Sequence, residues 1–172
     1  MLTDDVHGAE LAVANLVELG RRRIVHIDGG RNPGSRPRRQ GYERAMVTAR
    51  LVVPGDFSES SGAEAAGRLL KLAKLPTAVL TSNDMAAAGA MERLAEAGYS
   101  IPGDISIVGY DNTSLAQQRQ VSLTTVNQPW EEMGRLTMHT VLERIEGERT
   151  ETVSHVTTPT LVVRRSSGPA PE

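Results

Sequence analysis

The chain has 172 residues, of which 39% are hydrophobic and 23% charged, enough for one ordinary domain with its own core. A net charge of −2 gives no global pull toward nucleic acid or an anionic membrane, and the lack of cysteine excludes disulfides, thiol catalysis and thiolate metal sites, as fits a cytosolic protein. No stretch reaches the ~18 consecutive apolar residues of a membrane span, and the acidic opening MLTDDVHGAEL does not read as a signal peptide.

Residues 4–19 carry a helical pattern, with Thr3 or Asp4 as N-cap, Gly20 past the end, and Leu11, Ala12, Asn15, Leu16 and Leu19 on one face. IVHID (24–28) is a short apolar strand, followed by a loop rich in glycine and arginine and a helix over 37–50. A short strand is expected near Leu51–Val53, then a helix over 60–74 stopped by Pro76. AVLTS (78–82) is a strand, 84–97 a helix closed by Gly98, and ISIVGY (105–110) a strand apolar enough to be covered on both faces. VSLTTVN (121–127) is extended. Pro129 suits the first position of a helix running to Ile145, with Trp130, Met133, Met138, Val141, Leu142 and Ile145 as its apolar stripe. VSHVTTPTLVVRR (153–165) is extended again, and the polar tail after it is expected to be disordered.

Helices alternating with strands predict an α/β fold, a parallel sheet flanked by helices. Such sheets bind ligands beyond the carboxyl ends of their strands. Three polar clusters fall there: the loop GGRNPGSR, Ser82–Asn83–Asp84, and Asp111–Asn112. Enzyme signatures are missing. The four histidines, His7, His26, His139 and His155, lack metal-like spacing, and the glycine loop has neither a P-loop ending nor a dinucleotide fingerprint. The dense arginines at 21–23 and 36–39 flank a strand and a loop, and no element suited to enter a DNA groove accompanies them.

Six segments in order are similar to the effector-binding region of LacI/GalR-type repressors: 8–29, RRQGYERAM (38–46), 76–98, IPGDISIVGYDN (101–112), LTTVNQPWEEMG (123–134) and LVVRRSS (161–167). The resemblance implies a periplasmic-binding-protein-like fold of two α/β lobes with the ligand between them. It places residues 1–126 in the second lobe, a helix within 127–150 in the first lobe, 151–166 as the return segment, and 167–172 as the tail. The family's helix-turn-helix domain and most of its first lobe have no counterpart in this sequence. DNA would therefore be reached only through a domain missing from the chain.

What the resemblance implies for individual residues stands beside simpler readings. Arg38 matches the family's Arg-x-x-Gly and offers a fork of donors to adjacent hydroxyls; otherwise it is one solvated arginine among Arg36 and Arg39. Asn83 can donate to and accept from a polyol, or can cap the following helix; both hold if Asp84 is the cap and Asn83 faces the cleft. Asp111 can accept from two hydroxyls, or simply serve a turn. Phe57 and Trp130, the single Phe and single Trp, would pack on the ligand's apolar face, although Trp130 also sits on its helix's core stripe. Gln128 and Asn32 are further candidates by position. No cofactor or metal is expected. The expected effector is a sugar or polyol, although some family members sense purines or phosphorylated sugars. The competing readings are a sugar-binding protein of a transporter, or a fragment with no ligand of its own. Because the helix at 129–147 would lack its first-lobe partner, its apolar face is expected to pack on the second lobe, on another copy, or by exchange between copies, and a homodimer or larger assembly is expected.

Overall fold

The computed structural model describes residues 1–46 and 50–171. Its centre is a six-stranded sheet in the order β3-β2-β4-β5-β6-β8. The strands are β2 (Ile24–Ile27), β3 (Leu51–Val53), β4 (Ala78–Thr81), β5 (Ser106–Asp111), β6 (Thr124–Asn127) and β8 (Thr160–Val162). All neighbours are parallel except β6 and β8. A separate parallel ribbon joins β1 (Leu2–Thr3) to β7 (Val156–Thr157). The stretch expected as one extended segment near the end therefore splits around Pro159, one half pairing with the ribbon and the other with the sheet.

Alternation along the strands sorts the core into two layers. Ile24, Leu80, Val108 and Tyr110 meet the helices α1 (Asp5–Glu18) and α2 (Ser35–Ala45) on one face. Val25, Ile27, Val79 and Ile107 meet α3 (Glu59–Leu69) and α4 (Asp84–Glu96) on the other. With few aromatic rings to fill space, α3 and α4 approach until backbones touch: a Cβ on Gly62 would overlap the Ala86 carbonyl, and one on Gly89 the Glu59 carbonyl. The chain leaves β2 toward β3 through α2 and returns past β2 to β4 through α3. The strand order thus reverses between β2 and β4, where open α/β sheets place their ligand crevice.

Several boundaries differ from expectation. The α2 helix starts at Ser35, after Gly34 at φ +83°, and has ended by Met46, so the expected run to residue 50 is too long; 47–49 lie outside the described residues. The α3 helix stops at Leu69, because the amides of Lys71 and Leu72 bond only three residues back and tighten the chain into turns. A short helix α5 (Ser114–Gln117), one turn long, carries too little periodicity to be read from sequence. The tail is also packed through residue 170 rather than disordered. Arg21, fully buried, donates to the carbonyls of Gly168 (3.1 Å), Pro169 (2.6 Å), Pro102 (2.6 Å), Gly103 (3.3 Å), Asp104 (2.9 Å) and Thr77 (3.1 Å). A buried guanidinium must place all five of its N–H groups, and the tail supplies two of the carbonyls that receive them. The Ala170 amide bonds the Leu19 carbonyl at 2.8 Å.

Helix α6 (Trp130–Ile145) stands apart, with no buried residue; Met138, Val141, Leu142 and Ile145 are exposed. No helix among the described residues is long and apolar enough to cross a membrane.

Candidate functional site

At the end of β2 lies Asp28, a buried carboxylate. Its Oδ1 accepts from the Ser35 hydroxyl at 2.7 Å and its Oδ2 is paired with Arg39. Burial alone would push this carboxyl up, but the Arg39 guanidinium and the Ser35 hydroxyl outweigh it and hold it below the usual carboxylate range. Behind it His26 is fully buried and stacked on Tyr42, with Nδ1 3.0 Å from the Leu80 carbonyl. Burial pulls its titration down to about 4 against the opposing pull of Asp28, so the ring is neutral at pH 7.

Arg38, two turns before the end of α2, points into this region and is only 5% exposed. Its guanidinium lies over the Tyr110 ring, 3.7 Å from the centroid, with the Phe57 ring at 5.4 Å. Its Nε donates to Asp5 Oδ1 at 2.9 Å, one terminal nitrogen to the Ser82 carbonyl at 2.5 Å, and the other faces Asp111 Oδ1 at 3.2 Å. The guanidinium therefore binds α1, β4 and β5 together, and it is neither solvated nor simply open to a ligand.

Asn83 is itself the N-cap of α4. Its Oδ1 accepts from the Ala86 amide at 2.9 Å, and its Nδ2 donates to the Phe57 carbonyl at 2.9 Å. This corrects the expected division of labour. Asp84 does not cap; it turns inward to accept from Thr125 Oγ1 (2.6 Å) and from the amide and hydroxyl of Thr113 (2.7 and 2.9 Å). Burial pushes Asp84 up, partly offset by those hydrogen bonds. Phe57, held by Asn83 at φ +75°, lays its ring over Gly29, where any Cβ would overlap it.

Asp111 is the meeting point. It sits at φ +104°, followed by Asn112 at +51°, a pair of left-handed conformations that non-glycine residues adopt at a cost. Besides Arg38, its Oδ1 accepts from Gln128 Nε2 at 2.6 Å, and its main-chain carbonyl accepts from the Trp130 indole at 3.1 Å. Burial pushes the Asp111 carboxyl up to about 6, with Arg38 and Gln128 pulling the other way. Trp130 is 52% exposed, so it is a rim residue and not core. Beside it opens a cavity of about 450 Å³ lined by Asn112, Gln117, Asn127, Gln128, Trp130 and Glu131, among others. That cavity reaches Gln128 and Trp130 but not Arg38, Phe57, Asn83 or Asp111; Asp111 borders it only through its bonds to Gln128 and Trp130.

The five expected residues thus form one connected group: Arg38 with Phe57 and Asp111, Asn83 with Phe57, Trp130 with Asp111. Asn32 does not join them; its amide ties the Gly29 and Asp56 carbonyls across two loops. Sequence reasoning passed over Asp28, although it follows β2 just as Asp111 ends β5. Nothing in the sequence singles out Asp5 or the Tyr110 ring, which join the group only through folding. No group of three or more metal-ligating side chains is found among the described residues.

A family model described as a periplasmic binding protein-like domain matches residues 13–167. The HTH-type transcriptional repressor PurR of Proteus mirabilis is 39% identical over 173 residues, covering 96% of this chain and 50% of the relative. The chain spans about half the length of the curated relatives it matches. Among solved structures, a LacI transcriptional regulator from a Rhodococcus species superposes with a TM-score of 0.94 at 39% identity, covering 99% of this chain and 65% of that one. A transcriptional regulator CelR–cellobiose complex gives a TM-score of 0.88 at 36% identity, with 95% and 52% covered.

Proposed function

The chain belongs to the periplasmic binding protein-like family, in the form found as the effector domain of LacI-family transcriptional regulators, and on that premise we propose that it senses a small sugar or polyol. The relatives are regulators of transcription, not enzymes, and the reading of a transporter's sugar-binding protein is not favoured. In this proposal the sheet with its four flanking helices is the second lobe, α6 belongs to the first, and the final strands return. Arg38, Phe57, Asn83, Asp111 and Trp130 serve the ligand, in two roles. Asp111 and Trp130 meet it, carboxylate to hydroxyls and ring to the C–H face. Arg38, Phe57 and Asn83 fix the floor on which Asp111 stands.

The observation that carries the reading is the convergence on Asp111. Its Oδ1 is occupied by Arg38 and Gln128, so Oδ2 is the acceptor left to hydroxyl donors, next to a single exposed indole. Effector binding would shift the protein between two arrangements of its lobes and so alter DNA binding by a domain outside this chain, which requires unequal affinity for the two. Cytoplasmic location and a homodimer belong to the same proposal. Calorimetric titration of the chain with a panel of mono- and disaccharides, cellobiose included, is the test. Saturable binding that weakens in Asp111→Asn supports the assignment; no heat from any sugar removes it.

A further inference from the structure

The β1–β7 ribbon and α6 form a unit beside the main sheet, and the chain passes between the two units after β1, after β6 and between β7 and β8. At the first two of these passages the side chains are bonded to each other: the Thr3 hydroxyl donates to Gln128 Oε1 at 2.8 Å. The other end of the same amide donates to Asp111 Oδ1 at 2.6 Å. Gln128 is 7% exposed, so water does not readily replace either partner, and turning the amide over would set its oxygen against the Asp111 carboxylate and oblige the Thr3 hydroxyl to accept instead of donate. Two residues on, the Trp130 indole holds the Asp111 carbonyl. Thr3 also reaches the Met133 sulfur of α6 at 3.5 Å.

We propose that Gln128 is a positioning residue that relays the state of the Asp111 carboxylate, through Thr3, to the β1–β7 ribbon and α6. This rests on Asp111 being the ligand's anchor. When ligand hydroxyls take up that carboxylate, the acceptor offered to Gln128 weakens or turns, and the amide and Thr3 follow. The ribbon is the place to read it, because the amides of Leu2 and Asp4 are held by the carbonyls of His155 and Thr157.

The test is a double-mutant cycle on the intact chain without ligand, read by amide hydrogen exchange at Leu2 and Asp4 and by Trp130 emission. Asp111→Gly suits the left-handed backbone and removes the acceptor; Asp111→Asn keeps an oxygen in place and is the rescue. Thr3→Val cuts the far end without touching Asp111, and Thr3→Ser restores the hydroxyl. Asp111→Gly is expected to speed exchange at Leu2 and Asp4 by about tenfold, the scale of one charge-assisted hydrogen bond. Asp111→Asn recovers most of this, and in the Thr3→Val background Asp111→Gly adds little. Unchanged exchange in Asp111→Gly, or effects that multiply independently of Thr3, overturn the relay. A chain that binds no sugar yet shows the non-additive cycle loses its sensor role while keeping the coupling, so the two failures are distinct.

Discussion

Burying the Arg38 guanidinium between the Phe57 and Tyr110 rings leaves its charge to be answered by Asp5 and Asp111. Truncating one partner of such a group strands the others, at a cost of about 3–5 kcal/mol. Arg38→Met is therefore expected to lower stability by that order and to weaken sugar binding, as urea denaturation and calorimetry would register. Arg38→Lys keeps the charge but cannot reach three acceptors at once, and should recover only part of either. At Asp111 the sign of the pH effect is fixed by a titration near 6 in the folded chain, against ~3.9 for a carboxyl in an unfolded one. The folded state binds that proton more tightly, so its contribution to stability is complete below the unfolded value and is lost as pH rises through about 6. Wild type should thus lose urea resistance relative to Asp111→Asn across that window, while sugar affinity rises through about pH 6 and levels above it, once the carboxylate has formed. Residue type and place after a strand made Asp111 and Asn83 legible. Arg38 was legible as a position but not as a clamp, because its partners Asp5 and Tyr110 come from α1 and β5, far away in sequence.

Among the elements, α3 and α4 pack backbone against backbone, and glycine is what permits it. Gly89→Ala should force the helices apart and cost about 1–3 kcal/mol of stability, the range for overpacking a tight core. Asn83→Ala combines loss of a helix cap, about 1 kcal/mol, with release of the Phe57 carbonyl. It should show both a lower melting temperature and weaker ligand binding, whereas Ser58→Ala at the α3 cap should show only the first. The apolar strands and the long helices were readable from periodicity and flanking glycines. The ends were not. The stop of α3 at Leu69 depends on short-range turn bonds, and the split of β7 from β8 depends on which neighbour each half finds.

For the molecule as a whole, the class of fold followed from the alternation of helices and strands, but the packed tail did not, since its partner is the buried Arg21 guanidinium at the opposite end of the sequence. Removing residues 166–172 is expected to leave that guanidinium short of acceptors and to destabilise the domain by several kcal/mol, roughly as breaking a buried charged pair does. Helix α6 presents Met138, Val141, Leu142 and Ile145 to solvent, a stripe that favours association. Sedimentation velocity should show a dimer or larger species that Val141→Glu with Ile145→Lys disperses; a monomer at high concentration would refute the homodimer.

Arg21 gathers its carbonyls just before β4 and β5 begin, at the edge of the sheet away from Asp28, Ser82 and Asp111. Residue 170 is fastened there, on the far side from the sugar-binding mouth proposed above. A dye or a surface tether attached next to that residue would stand clear of incoming ligand, and Trp130, the one indole in the chain, would remain at the mouth as the native optical signal.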